Sequence, residues 1–446
     1  MRFIKEKTPY LLLLVIIVAM AWLRLTTYGK LSLSVGTPDT PGYVNASRAP
    51  LFSMEMFTGR RLFSTNILFK LANNESTCPD PKVSIPGAGQ ENDRTAEQCF
   101  DAIVLLQNIL AVTGWSALAW VVARRLRQFV FKLLAATIIL GYAYTPQIAE
   151  WDSILSPESL SLSLFALLFA LLLEICIRIA DGQALSSPGT TIWLITFALL
   201  VFFYWIFLRD VHIYSAFMLV GLAIPFLFYK NIRAIRVVIP LLIILFALFL
   251  FGSTTAHLSP RWQPSISHSF DTYILPSQTA VEFMTSRGMP DPQSGEPYES
   301  WFNANADRSY ALFLVTHPGF IVTNLINAQE YFSDSFFQPY YRPVESQTRE
   351  YLSLLGEFLH PTTNAVFILD ALLLAGMLIA AIKHRDAHHT AWAWVAVWAF
   401  LFAAVSLFTG FFGDTYGTRR HIFPSVELFR LYTWMFLFVV MDWASG

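Results

Sequence analysis

Residues 156 to 178 read SPESLSLSLFALLFALLLEICIR. Ser156 suits a helix N-cap and Pro157 the first helical position, with Glu158 just behind them. About 20 apolar residues then match the roughly 30 Å hydrocarbon core of a bilayer, and Arg178 follows. The stretch therefore predicts a membrane-spanning helix over 158–177. Working outward, nine further runs qualify, near 10–27, 102–123, 129–146, 191–208, 213–229, 237–253, 364–382, 391–411 and 426–442. The expected fold is an all-α polytopic membrane protein with about ten transmembrane helices.

Composition agrees. Of 446 residues, 55% are hydrophobic, 15% aromatic and 14% charged, against about 25% charged in soluble domains. So little charge cannot cover a water-facing surface of this size, which excludes a cytosolic enzyme, a nucleic-acid binder and a disordered chain. The net charge of −1 says nothing about partners, because opposed charges sit on opposite sides of a membrane. The first run follows Arg2, Lys5 and Lys7 and contains Ala19-Met20-Ala21, a signal-peptide look-alike; it is read as an uncleaved first span.

Positive charge sets the expected orientation. Arg2, Lys5 and Lys7, then Arg124, Arg125 and Arg127, Arg178, Lys230, Arg233 and Arg236, and Lys383 and Arg385 all fall on one side of a ten-span chain. That side is expected to be cytoplasmic, with both termini on it, and a bacterial inner membrane is the expected location. The other side carries two long polar segments, 28–101 and 254–363. They divide the chain into a transmembrane module with its first outer loop (1–253), a large extracytoplasmic loop (254–363) and C-terminal transmembrane helices (364–446). Leu62, Phe63, Ile67, Leu68 and Leu71 have the spacing of an amphipathic helix lying on the interface. Cys78 and Cys99 share the first loop, where either a bridge or two free thiols fits. Sequons occur at Asn45 and Asn74.

Polar groups at the outer face carry the functional information, because charge near a bilayer is costly. Asp39 and Tyr43 lie in the turn-rich segment after the first span. Asp152 and Glu158 lie between spans three and four, and Arg209 and Asp210 between five and six. Arg419, Arg420 and His421 lie between nine and ten. Together they supply a base and cations that grip phosphate. Asp39 is the candidate base, and burial near the membrane is expected to raise its pKa. Plainer roles fit too: Asp39 as a turn former, Glu158 as a cap, Arg209 and Asp210 as a local ion pair, Arg419–His421 as lipid-headgroup ligands. No metal-ligand spacing, phosphate loop or nucleophile elbow is present. A divalent cation held by Asp39 and a second carboxylate is the one metal arrangement considered, and the adjacent His388 and His389 are expected to be solvated.

With these residues in view, the chain resembles the GT-C superfamily of integral-membrane glycosyltransferases over nearly its whole length. The likeness rests on Asp39 followed by Tyr43 in a long amphipathic first loop, and on a second large loop after span seven. It rests also on Ser156-Pro157-Glu158-Ser159-Leu160-Ser161 opening span four, and on Arg419-Arg420-His421 with Pro424 before the last span. Some members pair two acids in the first loop, whereas the next acid here is Glu55, which speaks against a metal-dependent version. The resemblance implies a polyprenyl-phosphate-linked sugar donor and inverting transfer on the outer face to a glycan, lipid or protein acceptor. It implies Asp39 as base, and Arg419, Arg420, His421 and Arg209 around the donor phosphate. Asp152 and Glu158 would then shape the sugar or acceptor pocket. The competing readings are a polymerase or ligase of lipid-linked glycans and a lipid or sugar transporter; the transporter would show inverted halves, which are not evident.

Overall fold

The computed structural model describes residues 2–28, 31–72, 98–229, 235, 237–334, 336–340, 343 and 345–445. Cys78, the sequon at Asn74, and Lys230, Arg233 and Arg236 lie outside them. The described elements are helical. The first half holds α1 (Arg2–Thr27), α2 (Thr40–Ser47), α3 (Met54–Thr58), α4 (Phe63–Ala72), α5 (Asp101–Arg125), α6 (Phe129–Tyr144), α7 (Pro146–Ala149), α8 (Pro157–Ala180), α9 (Gln183–Ser186), α10 (Pro188–Ile206) and α11 (Ile213–Ala223). The second holds α12 (Val238–Leu258), α13 (Trp262–Ser269), α14 (Gln278–Ser286), α15 (Glu296–Thr316), α16 (Pro318–Asn327), α17 (Gln329–Ser333), α18 (Gln347–Leu359), α19 (Ala365–His384), α20 (Ala387–Gly413) and α21 (Thr418–Ala444).

Among the described residues, nine helices are singly long and apolar enough to cross a bilayer. The expected third span is the broken one: α6 ends at Tyr144, and Pro146–Ser153 continues at a 52° bend. Thr145 is extended (φ −71°, ψ 158°) because it precedes a proline. A second bent pair, α15 with α16 at 87°, belongs to the 254–363 segment. The chain is thus an integral membrane protein of the expected class.

The bundle is organised around α8 and α21, whose apolar windows are 83% and 89% buried; α12 is 17% buried and α1 and α19 are 22% buried. Trp193, Ile243 and Leu372 face outward on the apolar surface of their helices. In lipid, helices associate through close packing of small residues. The alternating serines of α8 serve this: a side chain added at Gly114 of α5 would lie 2.3 Å from the Ser163 carbonyl oxygen. Likewise, one added at Gly410 of α20 would lie 2.9 Å from the His421 carbonyl, so α20 and the first turn of α21 press together.

Three local expectations change. The last helix begins at Thr418, earlier than the apolar run near 426, so Arg419, Arg420 and His421 form its first turn rather than a loop. Polar residues are tolerated there because the turn lies beyond the apolar zone. Ser156 and Pro157 do start α8, but the Ser156 side chain makes no capping bond. His389 is buried, not solvated. Asp386 caps α20, accepting from the His389 backbone at 2.9 Å and bonding its Nδ1 at 2.5 Å, and Trp443 covers the ring at 4.4 Å.

One buried ion pair fixes the end of the bundle where α1 meets the 150–153 turn. Arg24 of α1 meets Asp152 at 2.8 Å and also donates to Asn108 and the Ala149 carbonyl, both at 2.9 Å. Both partners are almost wholly buried. Removing one half of such a pair leaves an uncompensated charge, which costs roughly 3–5 kcal/mol. Arg24→Ala should therefore lower the unfolding temperature in detergent more than the Arg24→Ala/Asp152→Ala double variant does; equal losses would show that the buried charge is not what matters.

Candidate active site

The site is registered by a single parallel β-bridge between Val35 and Ile154. Val35 N–H donates to the Ser153 carbonyl and Leu155 N–H to the Val35 carbonyl, both at 2.9 Å. Asp39 follows Val35, and Glu158 follows Ile154, by four residues, so this bridge sets the two carboxylates beside each other. Thr37 and Thr40, both fully buried, lock the intervening turn: Thr37 N–H donates to Thr40 Oγ1 at 2.8 Å and Thr40 N–H to the Thr37 carbonyl at 2.9 Å. Asp39 occupies the N-cap position of α2, yet its carboxylate makes no capping bond.

That carboxylate is turned to guanidinium groups. Arg420 Nη1 donates to Asp39 Oδ2 at 2.5 Å, and Arg420 Nε to Glu158 Oε1 at 2.7 Å. Arg61 Nη2 takes Asp39 Oδ1 at 2.8 Å, and Arg209 stands 3.8 Å from Glu158. Arg61 lies over the Tyr43 ring at 4.7 Å and Arg420 over Tyr340 at 6.0 Å, within the range of cation–π attraction. Gly42 makes room: a Cβ there would sit 2.8 Å from Arg61 Nη2. Three guanidiniums against two carboxylates leave the cluster with one excess positive charge.

Burial raises the Asp39 pKa, but the pull of Arg420, then Arg61, and their hydrogen bonds outweigh it, so the carboxyl lies below its ordinary value. This reverses the sequence-based expectation, which counted burial and not the partners. Burial pushes the Tyr43 phenol up to about 12, leaving it a protonated donor at neutral pH.

The cluster opens onto a cavity of 1380 Å³. Asp39, Tyr43, Glu158, Arg209, Asp210, Arg420 and His421 all line it; Asp152 and Arg419 do not. Asp152 is spent on Arg24. Arg419 is one helical step, about 100°, from Arg420 and points away to Asp334 at 3.0 Å. His421 is on the wall, its Nε2 3.1 Å from the Tyr416 carbonyl. Asp210 does not pair with Arg209; it takes a two-pronged bond from Arg261 at 2.7 and 2.8 Å. Arg420 stands between the two carboxylates where a bridging divalent cation would have to sit, so this arrangement does not fit a metal at Asp39.

Arg61, Arg261 and Tyr340 escaped the sequence reading. Arg261 also donates to the Phe57 and Gly59 carbonyls at 3.1 Å, holding the strand of chain that delivers Arg61. A signal existed for both arginines: they fall in the two long segments expected on the side where the positive-inside trend disfavours them. Tyr340 had none, being far from any motif.

No protein-family model matches the chain, and no curated protein does. Among solved structures it is similar to the oligosaccharyltransferase AglB of Archaeoglobus fulgidus, in complex with an inhibitory peptide and a dolichol-phosphate. That likeness has 13% identity and a TM-score of 0.46, and covers 98% of this chain and 51% of that one. A second structure of the Archaeoglobus fulgidus oligosaccharyltransferase, tethered with an acceptor peptide, matches at 11% identity and TM-score 0.46, covering 99% and 50%. The chain spans about half the length of these proteins.

A depressed carboxyl pKa stabilises the fold above its unfolded value and loses that contribution as pH falls through the folded one. The wild-type chain should therefore be more thermostable than Asp39→Asn near neutral pH, with the gap closing below about pH 4. A gap unchanged down to pH 3 would show that Asp39 is not held ionised by its arginines.

Proposed function

We propose that this protein is a GT-C-type glycosyltransferase that moves a sugar from a polyprenyl-phosphate donor to an acceptor hydroxyl, on the extracytoplasmic face of a bacterial inner membrane. The observation that supports it most is the sharing of Arg420 between Asp39 and Glu158 at the wall of a large cavity between membrane helices. A base and a phosphate grip are there the same hydrogen-bonded unit. The single excess positive charge suits a phosphodiester monoanion, the form in which a sugar is carried on a lipid monophosphate.

The chemistry follows from that coupling. The donor phosphate competes with Asp39 for the guanidiniums of Arg420 and Arg61. As they turn to the phosphate, Asp39 loses the partners that lower its pKa and becomes a stronger base. The acceptor hydroxyl oxygen attacks the anomeric carbon and its proton passes to Asp39. The bond from that carbon to the phosphate oxygen breaks, and the electron pair leaves on the phosphate, where the arginines stabilise it. Attack opposite the leaving group inverts the anomeric centre. Tyr43 supports Arg61 through its ring, and Arg209 stays beside Glu158 when Arg420 turns to the phosphate.

Asp39→Asn should abolish transfer while expression and folding persist. Arg420→Ala should weaken binding of a polyprenyl-phosphate sugar by roughly tenfold or more. The base mechanism also separates two pH profiles: the acid limb of kcat should lie at higher pH than that of kcat/KM, because bound donor draws the arginines from Asp39. Coincident limbs, or near-normal turnover by Asp39→Asn, would remove Asp39 from the base role. The latter result would favour a polymerase or ligase that works without a first-loop aspartate.

A further inference from the structure

We propose that Ser161 and Ser406 form a recess that reads the donor's sugar, and that it is built for one monosaccharide. The inference rests on the donor reading above.

The recess follows from helix register. Phe165 of α8 and Phe402 of α20 stack with ring centroids 5.7 Å apart. The two helices run in opposite directions past this pair. Ser161 lies one turn before Phe165 and Ser406 one turn after Phe402, so both step from the aromatic pair toward the Arg420 cluster on facing sides. Both line the cavity, together with the rings of Trp205, His212 and Phe402. Ser161 is 2% exposed and Ser406 7%, and neither hydroxyl has a hydrogen-bond partner among the described residues.

That last point is unusual for serine in an apolar helix, which ordinarily bonds to its own backbone. Thr409 and Ser425, on the same cavity wall, do so, donating to the Val405 and Ile422 carbonyls at 2.8 and 2.7 Å. An unsatisfied buried hydroxyl lowers stability. Two of them, on residues that line the same cavity, mark a place where a polar ligand completes the bonding. The walls define which ligand. Hydroxyls above an aromatic floor suit a sugar ring, whose hydroxyl groups give and take hydrogen bonds and whose C–H face lies on the rings. A polyprenyl chain has nothing to bond there, and a phosphate is drawn to the arginines. Ser161 lies about 4.5 Å along α8 from Glu158, the depth of a single pyranose or furanose ring.

The test uses the full chain in nanodiscs. Affinities are measured for farnesyl phosphate and for a panel of farnesyl-phosphate monosaccharides spanning hexoses, pentoses and an amino pentose. The wild type should bind at least one panel member about tenfold more tightly than farnesyl phosphate. Ser161→Ala/Ser406→Ala should erase most of that preference, yet leave farnesyl phosphate affinity unchanged and the ligand-free unfolding temperature equal or higher, since no bond is lost. A preference that survives in the double variant overturns the recess. So does farnesyl phosphate binding with no gain from any panel sugar, or a fall in the ligand-free unfolding temperature. Failure of every compound to bind, farnesyl phosphate included, would refute the donor reading and this inference together.

Discussion

A guanidinium held by two carboxylates is the constraint around which this structure is arranged. Arg420 bonds Asp39 from 381 residues away and Glu158 from 262 residues away. Glu158 is buried, with its side chain 1% exposed, and a buried carboxylate without a cation would give up its charge or its place. Arg420 supplies the nearer of the two cations on Glu158, with Arg209 at 3.8 Å behind it, and it is also the group a phosphate would compete for.

Much of the surrounding architecture keeps that contact in register. The Val35–Ile154 bridge aligns the two carboxylate-bearing segments. Arg24, reaching Asp152 and the Ala149 carbonyl, anchors the second of them to the first span. Arg261 ties Asp210 to the chain that presents Arg61. Gly410 lets the first turn of α21 lie close to α20, placing Arg420 at the cavity wall. Most of these devices use a charge or a backbone group buried at the end of the bundle that holds the Arg420 cluster, where an unpaired one would be costly. The polar interior thus specifies geometry, while the lipid-facing rim of α1, α12 and α19 supplies only apolar surface.

Ser161 and Ser406 belong to the smaller set of buried polar groups left without a partner among the described residues, and with Glu158 Oε2 they are on residues that line the cavity. Most polar groups near them are bonded within their own helix or across a helix pair, as Trp205 Nε1 is to the Ser161 carbonyl at 3.0 Å. A site that binds a polar ligand has to leave some of its own groups waiting, and such groups reduce the stability of the empty protein.

The sequence by itself determined the all-helical membrane fold and the placement of most spans, because a bilayer demands about 20 apolar residues per helix and such runs are visible without knowing what they touch. It also singled out Asp39, Glu158 and Arg420, since charge near a membrane stands out against an apolar background. Tertiary structure alone decided their partners. Arg419 and Arg420 are neighbours in sequence, yet helix geometry sends one to Asp334 and the other to Asp39. Asp210 passed over adjacent Arg209 for Arg261. The direction of the Asp39 pKa was decided the same way: burial can be guessed from a pattern, but Coulomb attraction falls with distance, and the distances between remote segments exist only once the chain has folded.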